Sequence, residues 1–390
     1  MSRPLIFLVA GEPSGDLIGA RLMGALKELT GGEVDFAGIG GERMAEQGLN
    51  SLFPMEELSI MGLAEILPRA RHLLRRIAET ADTAQRLSPD VMVTIDAPGF
   101  SFRVGRRLPD RRFPLIHYVA PTVWAWRPGR ARKIAQFLDH LLVLLPFEPP
   151  YFEREGLPAT FVGHPIIETA AGTGDGARFR AEHGIPADAR LLCVLPGSRR
   201  TEVTKLLPVF GETVRLLAEA RPGLRVVVPT VAGVEQQVRA AVDQWPGNPV
   251  VFRGDQVKHD AFAASDAALA ASGTVALELA MARLPSVIAY KVQPLTAWIA
   301  RRLIKVRYAN LVNIILDRPA VPEFLQDDCR PALLAPAVLK LIDDPAESAA
   351  QRQAAAEAVR SLGQGGTPPS ARAAAVVLEV VRAGRAKKGG

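Results

Sequence analysis

Residues 191–203 read Leu-Leu-Cys-Val-Leu-Pro-Gly-Ser-Arg-Arg-Thr-Glu-Val, and this stretch is the most informative part of the chain. The first five residues are apolar and predict a buried strand, and Pro-Gly-Ser-Arg predicts a tight turn that opens onto a helix. Such a turn presents free backbone N–H groups at a helix start, and Arg199 adds a guanidinium beside them. The stretch therefore predicts a site that holds a phosphate group.

The chain opens with the same pattern. Residues 5–10 are an apolar run that leads into Gly-Glu-Pro-Ser-Gly-Asp at 11–16 and then into a helix. Further apolar strands alternate with amphipathic helices in both halves, which favours parallel sheets covered on both faces. We therefore predict an α/β fold of two Rossmann-like domains that face a cleft.

Length and composition agree with two ordinary globular domains. The chain has 390 residues, of which 48% are hydrophobic and 23% charged, with a formal net charge of +6. Two cysteines cannot build a disulfide framework or a zinc site, and Cys193 within an apolar strand is expected to be a buried thiol in a reducing compartment. No run approaches the roughly 18 to 20 apolar residues that a bilayer span requires.

A stretch rich in Gly, Ala, Pro and charge, at 163–188, marks the domain boundary. We predict a first domain over 1–165, a second over 166–345, and C-terminal helices over 346–390 that return to the first domain or to a partner's. The basic end, 385–390, is expected to fray. The Gly-rich turns at 11–15 and 38–41 lack the spacing of the dinucleotide fingerprint, and no Walker lysine follows them, which disfavours a dehydrogenase or a P-loop ATPase.

In the second domain, residues 271–278 read Ala-Ser-Gly-Thr-Val-Ala-Leu-Glu and follow an apolar strand. Ser272, Gly273 and Thr274 would offer backbone N–H groups and hydroxyls to a diphosphate. Glu278 lies about one helical turn beyond Thr274, within reach of ribose hydroxyls. Taken alone, this pattern also fits an ordinary N-cap followed by a helical glutamate.

In the first domain, Asp96 ends an apolar strand and precedes Ala-Pro-Gly. A carboxylate at the C-terminal end of a parallel strand lies where such folds bind ligands, and it could act as a general base toward a sugar hydroxyl. A turn-forming aspartate is the alternative. The aromatic run at 117–127, with Trp124 and Trp126, fits either stacking on a sugar or packing in the core.

Charge is unevenly distributed in the first domain. Nine basic residues stand between positions 103 and 133 against the single acid Asp110, a pattern that attracts phosphates.

An apolar stretch at 60–67 is followed by several arginines, which is typical of a segment lying on an anionic membrane, although a buried helix leading into a solvated one shows the same pattern. The predicted docking residues are Ile60, Met61, Leu63, Ile66, Leu67, Arg69 and Arg71.

The ordered set of motifs resembles the lipid-A-disaccharide synthases, which are inverting glycosyltransferases with the two-domain GT-B fold. The resemblance runs from the first strand almost to the C-terminus. It is carried by the residues at 9–16, 61–62, 96–98, 117–121, 123–127, 145–148, 195–199 and 271–274. The family commonly has a second acid where this chain has Gly99.

The resemblance implies a reaction and a role for each matching residue. UDP-2,3-diacylglucosamine would donate its sugar to 2,3-diacylglucosamine 1-phosphate (lipid X), giving a β-1,6-linked disaccharide 1-phosphate and UDP. Asp96 would be the catalytic base, and Glu12 and Ser14 would line the acceptor side. The donor would be held by Arg199, Ser272, Gly273, Thr274, Glu278 and Asn313.

No metal or other cofactor is implied, and no nucleic acid is expected as a partner. The resemblance implies a peripheral enzyme on the inner face of the inner membrane of a Gram-negative bacterium, and it allows a homodimer formed by C-terminal exchange. Two alternatives stay open: a related GT-B transferase or epimerase acting on unacylated UDP-sugars, and a non-enzymatic protein that binds membranes or nucleic acid.

Overall fold

The computed structural model describes residues 3–58, 63–126, 129–291 and 307–389. For residues 63–70, 126 and 387–389 it describes the backbone only. The chain divides into two units. The first comprises Met1–Pro165 together with Gly365–Gly390, and the second comprises Ile166–Gln364.

The first unit contains a six-stranded parallel sheet in the order β2-β1-β3-β4-β5-β6. Because β1 lies between β2 and β3, the strand order reverses at β1 and β3, and the carboxyl ends of these two strands form a topological switch point. The strands are β1 (Leu5–Ala10), β2 (Asp35–Ile39), β3 (Val91–Ile95), β4 (Leu115–Tyr118), β5 (His140–Val143) and β6 (Ala159–Phe161).

Helices cover both faces of this sheet. Strand β1 is apolar throughout because Ile6 and Leu8 contribute to the core on one face while Phe7 and Val9 contribute to the core on the other. A short 3-10 helix also forms at Met55–Glu57. The helices are α1 (Pro13–Thr30), α2 (Glu42–Glu46), α3 (Leu63–Leu87), α4 (Pro98–Arg106), α5 (Val123–Trp126), α6 (Gly129–Ala135) and α7 (Pro149–Glu153).

The second unit has a parallel sheet in the order β12-β11-β10-β7-β8-β9, so that its switch point lies between β7 and β10. Cys193 on β7 is fully buried, as predicted, and burial raises the pKa of its thiol. The strands are β7 (Leu191–Leu195), β8 (Arg225–Pro229), β9 (Val250–Phe252), β10 (Ala267–Ala271), β11 (Ser286–Tyr290) and β12 (Glu323–Leu325).

The helices of the second unit lie on both sides of its sheet, and 3-10 turns at Pro165–Glu168, Ala170–Gly172 and Gln326–Asp328 complete the connections. They are α8 (Gly176–Glu182), α9 (Arg200–Ala220), α10 (Glu235–Val242), α11 (Asp255–Ala264), α12 (Val275–Met281), α13 (Leu311–Leu316), α14 (Pro331–Asp343) and α15 (Pro345–Ser361). Within the described ranges, none of the helices combines the length and hydropathy of a membrane span.

The chain returns to the first unit later than the sequence predicted. The boundary lies after Gln364 rather than after residue 345, and α15 belongs to the second unit. The Gln351 side chain fixes α15 there, because its Oε1 accepts a hydrogen bond of 2.9 Å from the backbone N–H of Ser286, at the start of β11.

The helix that does return is α16 (Pro369–Gly389). Its Ala373, Val377 and Val381 are buried in the same core cluster as residues of α1. The helix continues to Gly389, and the fraying of residues 385–390 stays a prediction. Arg385 holds this end in place through an ion pair with Asp90, with Nε 2.7 Å from Oδ1. The same contacts could form in trans, so C-terminal exchange between two copies stays a prediction.

Candidate active site

The loops that follow β1 and β3 meet at the switch point of the first sheet. Gly11 permits this approach, since a Cβ at this position would lie 2.8 Å from the Cβ of Ala97. Gly15 has the same role one turn into α1, where a Cβ would lie 3.3 Å from the carbonyl oxygen of Ile95. The two glycines therefore let the start of α1 contact the loop that carries Asp96.

Asp96 is half-buried in this loop and contacts one of the predicted acceptor-side residues. The Ser14 hydroxyl donates a hydrogen bond of 3.3 Å to Asp96 Oδ2. Glu12 is the N-cap residue of α1, two positions before Ser14. The structure thus brings together the carboxylate predicted as base and a serine predicted to line the acceptor side.

The backbone around Asp96 is strained. Asp96 and Ala97 have φ values of 50° and 43°, and Val119, after the neighbouring strand β4, has a φ of 78°. Non-glycine residues in this region cost about 1–3 kcal/mol each. Two hydrogen bonds hold the conformation, from the Asp96 N–H to the Tyr118 carbonyl at 2.9 Å and from the Ser101 hydroxyl to the Asp96 carbonyl at 2.8 Å. The strained conformation, held by these two hydrogen bonds, sets the direction in which the Asp96 carboxylate leaves the strand.

Asp16, the acid that ends the Gly-Glu-Pro-Ser-Gly-Asp motif, has a structural role. It is buried, and its carboxylate accepts hydrogen bonds from the backbone N–H groups of Gly41 at 2.7 Å, Arg43 at 3.0 Å and Met44 at 3.1 Å. It therefore caps α2 and joins that helix to α1.

Glu148 is a buried carboxylic acid to which the sequence assigned no role. It accepts hydrogen bonds from the indole N–H of Trp124 at 3.1 Å and from the backbone N–H of Leu145 at 2.9 Å. Burial raises its pKa to about 7. Trp124 also packs edge-on against Phe147, with ring centroids 5.2 Å apart. The aromatic run is thus tied to the next loop of the sheet.

His117 belongs to the core. It is fully buried on β4, with Nδ1 2.8 Å from the Thr94 hydroxyl and with its ring edge-on to Phe102. Burial, assisted by the charge of Arg130, lowers its pKa to about 3. The imidazole is therefore neutral at physiological pH.

At the switch point of the second sheet, the loop after β7 lies beside the loop after β10. Gly197 has a φ of 106°, and a Cβ there would lie 2.9 Å from Glu202 Oε2. Arg199 is the N-cap residue of α9 and is exposed, with Nη1 3.3 Å from Glu202 Oε1. Gly273 and Thr274 are exposed in the neighbouring loop. A helix start, a guanidinium and small polar residues therefore share one edge of this sheet.

Two further predicted donor-site residues are engaged with protein groups. Glu278 forms an ion pair with Lys258, with Oε2 2.7 Å from Nζ. Burial lowers the pKa of Lys258, but Glu278 and Asp255 outweigh that effect and raise it overall. Asn313 is fully buried, and its amide exchanges two hydrogen bonds of 2.8 Å with the backbone of Val321.

Asn313 lies close to the loop that supports Ser272. The Ser272 hydroxyl donates to the Ala309 carbonyl at 3.3 Å. Glu323 accepts from the N–H groups of Ala309 and Asn310 at 3.0 and 2.7 Å. Glu323 and Asn310 are thus supporting residues that the sequence reading missed, because a lone acid and an asparagine carry no local motif.

The predicted membrane-docking set is only partly described. Ile60 and Met61 lie outside the described residues, and of Leu63, Ile66, Leu67 and Arg69 only the backbone, in α3, is described. Arg71 is exposed on the same helix, and so is Leu74, with 56% of its surface accessible. Helix α3 is held at its middle by Glu57, whose carboxylate accepts hydrogen bonds from Arg76 at 2.7 and 2.9 Å.

Comparison with known proteins decides the family. The sequence profile of the lipid-A-disaccharide synthetase family matches residues 6–377. The chain belongs to this family. A similar protein is the lipid-A-disaccharide synthase of Rhodospirillum centenum, which is 62% identical over 97% of this chain and 94% of its own length. The glycosyltransferase activity predicted from the sequence is thereby confirmed, and the reading as an enzyme of unacylated UDP-sugars is not favoured.

Solved structures confirm the fold class. The UDP-GlcNAc 2-epimerase of Neisseria meningitidis, solved with UDP-GlcNAc, has a TM-score of 0.61 at 12% identity and covers 97% of this chain and 98% of its own. The glycosyltransferase of kitacinnamycin has a TM-score of 0.64 at 16% identity, covering 97% and 99%. Two Rossmann-like domains of the GT-B type are therefore shared with both transferases and epimerases, so the fold alone does not select the reaction.

Proposed function

We propose that this chain transfers the sugar of UDP-2,3-diacylglucosamine to the 6-hydroxyl of 2,3-diacylglucosamine 1-phosphate. The products are the β-1,6-linked disaccharide 1-phosphate and UDP. Family membership supports this choice of substrates. One observation carries the proposed chemistry: a hydroxyl, that of Ser14, already donates to the half-buried Asp96 carboxylate at 3.3 Å.

In the proposed mechanism Asp96 is the general base. The acceptor hydroxyl takes a position at Asp96 like that of the Ser14 hydroxyl and gives its proton to the carboxylate. Its oxygen attacks C1 of the donor sugar as the bond from C1 to the diphosphate breaks on the opposite face, which inverts the anomeric configuration. Ser14 and Glu12 would orient the acceptor from the start of α1.

The second unit would hold the donor and stabilise the leaving group. Arg199 and the backbone N–H groups of the loops after β7 and β10 can neutralise the charge that develops on the diphosphate. Ser272, Gly273 and Thr274 belong to this loop pair, and Glu278 is proposed to bind ribose, for which it would leave or share its contact with Lys258. Asn313 is proposed to act indirectly, by holding Val321 near the loop that supports Ser272.

We also propose that the enzyme works at the surface of an anionic membrane, the inner face of the inner membrane of a Gram-negative bacterium. Both proposed substrates carry acyl chains, which partition into a bilayer. The exposed Leu74 and Arg71 on α3 support a docking face that continues into the predicted residues Ile60–Leu67. A homodimer by C-terminal exchange remains part of the proposal.

The test is to incubate the purified chain, in detergent micelles, with the two acylated substrates and to follow UDP release and disaccharide formation by mass spectrometry. The expected result is stoichiometric UDP and tetraacyl disaccharide 1-phosphate. Parallel reactions receive UDP-N-acetylglucosamine as donor and are expected to give no transfer and no epimerised sugar.

Two results would contradict the proposal. One is the absence of product from a folded protein that binds UDP, and the other is turnover of the unacylated donor at a comparable rate. Failure of the chain to float with anionic vesicles, with transfer in micelles intact, would remove the membrane part alone.

A further inference from the structure

An apolar rim lies at the carboxyl edge of the first sheet, outside the residues proposed for catalysis. It consists of Trp124, Phe147 and Pro146. Trp124 lies in α5, which follows β4, and the other two lie in the loop after β5. The rings of Trp124 and Phe147 pack edge-on, with centroids 5.2 Å apart, and both residues are half-buried. Pro146 is exposed, so the rim continues from a partly covered indole to open surface.

Trp124 differs from its neighbours in how it is used. Val123 and Ala120 are buried in the core on one face of the sheet. Trp124, next in sequence to Val123, keeps part of its surface accessible. A tryptophan placed at the edge of the core offers a large rigid apolar area to a ligand. The location of Trp124 therefore favours a binding surface over a packing role.

Glu148 holds the indole through the single polar atom that a tryptophan side chain has. Its Oε1 accepts a hydrogen bond of 3.1 Å from the Trp124 N–H, and its Oε2 accepts from the backbone N–H groups of Leu144 and Leu145 at 3.1 and 2.9 Å. Only 3% of Glu148 is exposed, and burial raises its pKa. One carboxylate oxygen is thus fixed to the backbone after β5, while the other orients the ring.

The apolar rim begins beside the candidate base. The Asp96 N–H donates to the carbonyl of Tyr118 at 2.9 Å, and Tyr118 ends the strand that leads into α5. Neighbouring strands lie about 5 Å apart, so the loops after β4 and β5 stand about 5 and 10 Å to the side of the loop after β3. One strand spacing is comparable with the width of a sugar ring. A group across the ring from a hydroxyl at Asp96 can therefore reach Trp124.

We propose that Trp124 forms the wall of an acyl-chain subsite for the acceptor, and that Glu148 is the positioning residue that holds this wall. The inference rests on the proposed function, because it takes 2,3-diacylglucosamine 1-phosphate as the acceptor. The acyl chains on C2 and C3 of this molecule lie across the ring from the 6-hydroxyl. With the hydroxyl at Asp96, the first part of a chain lies against the indole and continues over Phe147 and Pro146. The rings remove that part of the chain from water.

Fluorescence quenching tests the contact directly. The acceptor is prepared with bromine on the acyl carbons nearest the sugar and is added to the protein in detergent micelles. Bromine quenches tryptophan emission at contact distance, so much of the quenching seen in the unmodified chain should be lost in Trp124→Phe. Trp245→Phe is the matched control, since it makes the same replacement in the core of the second unit, where Trp245 is buried. Its quenching should equal that of the unmodified chain.

Kinetics separate the wall from its support. Trp124→Ala is expected to raise the acceptor KM about thirtyfold and Glu148→Gln about fivefold, with the donor KM and kcat unchanged within about twofold. Glutamine has one side-chain oxygen, so when it accepts from Leu144 and Leu145 its amide nitrogen faces the indole N–H and releases the ring. Trp124→Phe lacks that N–H already. Adding Glu148→Gln to it should therefore raise the acceptor KM no further.

An acceptor analogue that carries acetyl groups in place of the acyl chains isolates the chain from the sugar. It should compete with the acceptor equally well in the unmodified chain and in Trp124→Ala, because the acetyl groups are too short to cover the indole. Thermal unfolding checks that each variant is folded. If Trp124→Ala does not fold, Trp124→Phe still gives the quenching result and the double-variant comparison.

Several outcomes would overturn the proposal. Equal quenching in Trp124→Phe and Trp245→Phe would remove Trp124 from the acyl subsite. Weaker competition by the acetyl analogue in Trp124→Ala would assign the indole to the sugar. A full additional effect of Glu148→Gln in the Trp124→Phe background would show that Glu148 does not act through the indole.

Failure of the subsite and failure of the proposed function give different results. An unchanged acceptor KM in every variant, with the unmodified chain active, would reject the subsite and leave the proposed function intact. Quenching reports binding without turnover. An inactive chain that loses quenching only in Trp124→Phe would therefore reject the proposed transfer and retain the subsite for the acylated sugar.

Discussion

The two switch points use different means to present their chemistry. In the first unit the loops after β3 and β4 hold non-glycine residues, Asp96, Ala97 and Val119, at positive φ. In the second unit the corresponding loop after β7 gives its positive φ to a glycine, Gly197, and Arg199 beside it is exposed. In the first unit, strained backbone at the end of the sheet holds one side chain, that of Asp96, in a fixed direction. In the second unit, the corresponding loop presents backbone N–H groups and the guanidinium of Arg199.

The difference matches the demands of the two proposed roles. A general base must lie within about 3 Å of one proton and in one direction, so its backbone is held rigidly. A diphosphate has many oxygens and accepts hydrogen bonds over a wide range of directions, so small residues and an exposed arginine suffice. Strain in non-glycine residues is therefore expected where an acid or base acts, and glycine where an anion is held.

The largest effect is expected from Asp96→Asn. The amide keeps the shape of the side chain but cannot accept the acceptor proton, so kcat should fall about 1000-fold. The free energy of unfolding in urea should change by less than about 1 kcal/mol, because the backbone hydrogen bonds of Asp96 are retained. Activity within tenfold of wild type would show that Asp96 is not the base. The backbone strain at this loop could then not be explained by catalysis.

A smaller effect is expected from Arg199→Ala in the second unit. Loss of one group that stabilises the leaving diphosphate should lower kcat about 100-fold and raise the Kd for UDP about tenfold. Arg200→Ala is the control, because Arg200 is the exposed neighbour within α9. Calorimetry of UDP binding checks the affinity. Equal losses in both variants would show that the second unit uses general charge rather than a placed guanidinium.

The smallest effects are expected from two loop variants. One introduces glycine at a strained position of the first unit, and the other replaces the glycine of the second unit. Ala97→Gly relieves strain and should raise the free energy of unfolding by about 1 kcal/mol, yet lower kcat severalfold because Asp96 loses its fixed direction. Gly197→Ala imposes a φ of 106° on a residue with a Cβ that would lie 2.9 Å from Glu202, so stability should fall by about 2 kcal/mol. A loss of stability in Ala97→Gly would contradict the strain argument.

Much of this architecture follows from the sequence, because buried parallel strands leave continuous apolar runs. Ten of the strands, among them β1 and β7, could be placed in this way. Two of the four edge strands, β2 (Asp35–Ile39) and β12 (Glu323–Leu325), were missed, since each has a short sequence in which an acidic residue or a glycine interrupts the apolar pattern. Their positions depend on tertiary contacts rather than on a local pattern.

The candidate site was predicted in part for the same reason. Residues that follow strands, such as Asp96 and Arg199, were found because the carboxyl edge of a parallel sheet is the expected place for a ligand. The hydrogen bonds that stabilise the neighbouring loops were not predicted, because they join distant segments: Trp124 donates to Glu148, and Gly41 donates to Asp16. The end of the second unit was misplaced because α15 and α16 have similar Ala-rich sequences and differ in what they contact.

The return of α16 has a consequence for biosynthesis. The core around α1 in the first unit needs Ala373, Val377 and Val381, which leave the ribosome about 200 residues after Pro165. At 5 to 20 residues per second, this corresponds to about 10 to 40 s of translation. During that interval the N-terminal unit keeps an apolar groove on α1, and the second unit, which ends at Gln364, is fully synthesised nine residues before Ala373. The domain made first is therefore finished last, and it is the one that needs shelter from aggregation during synthesis.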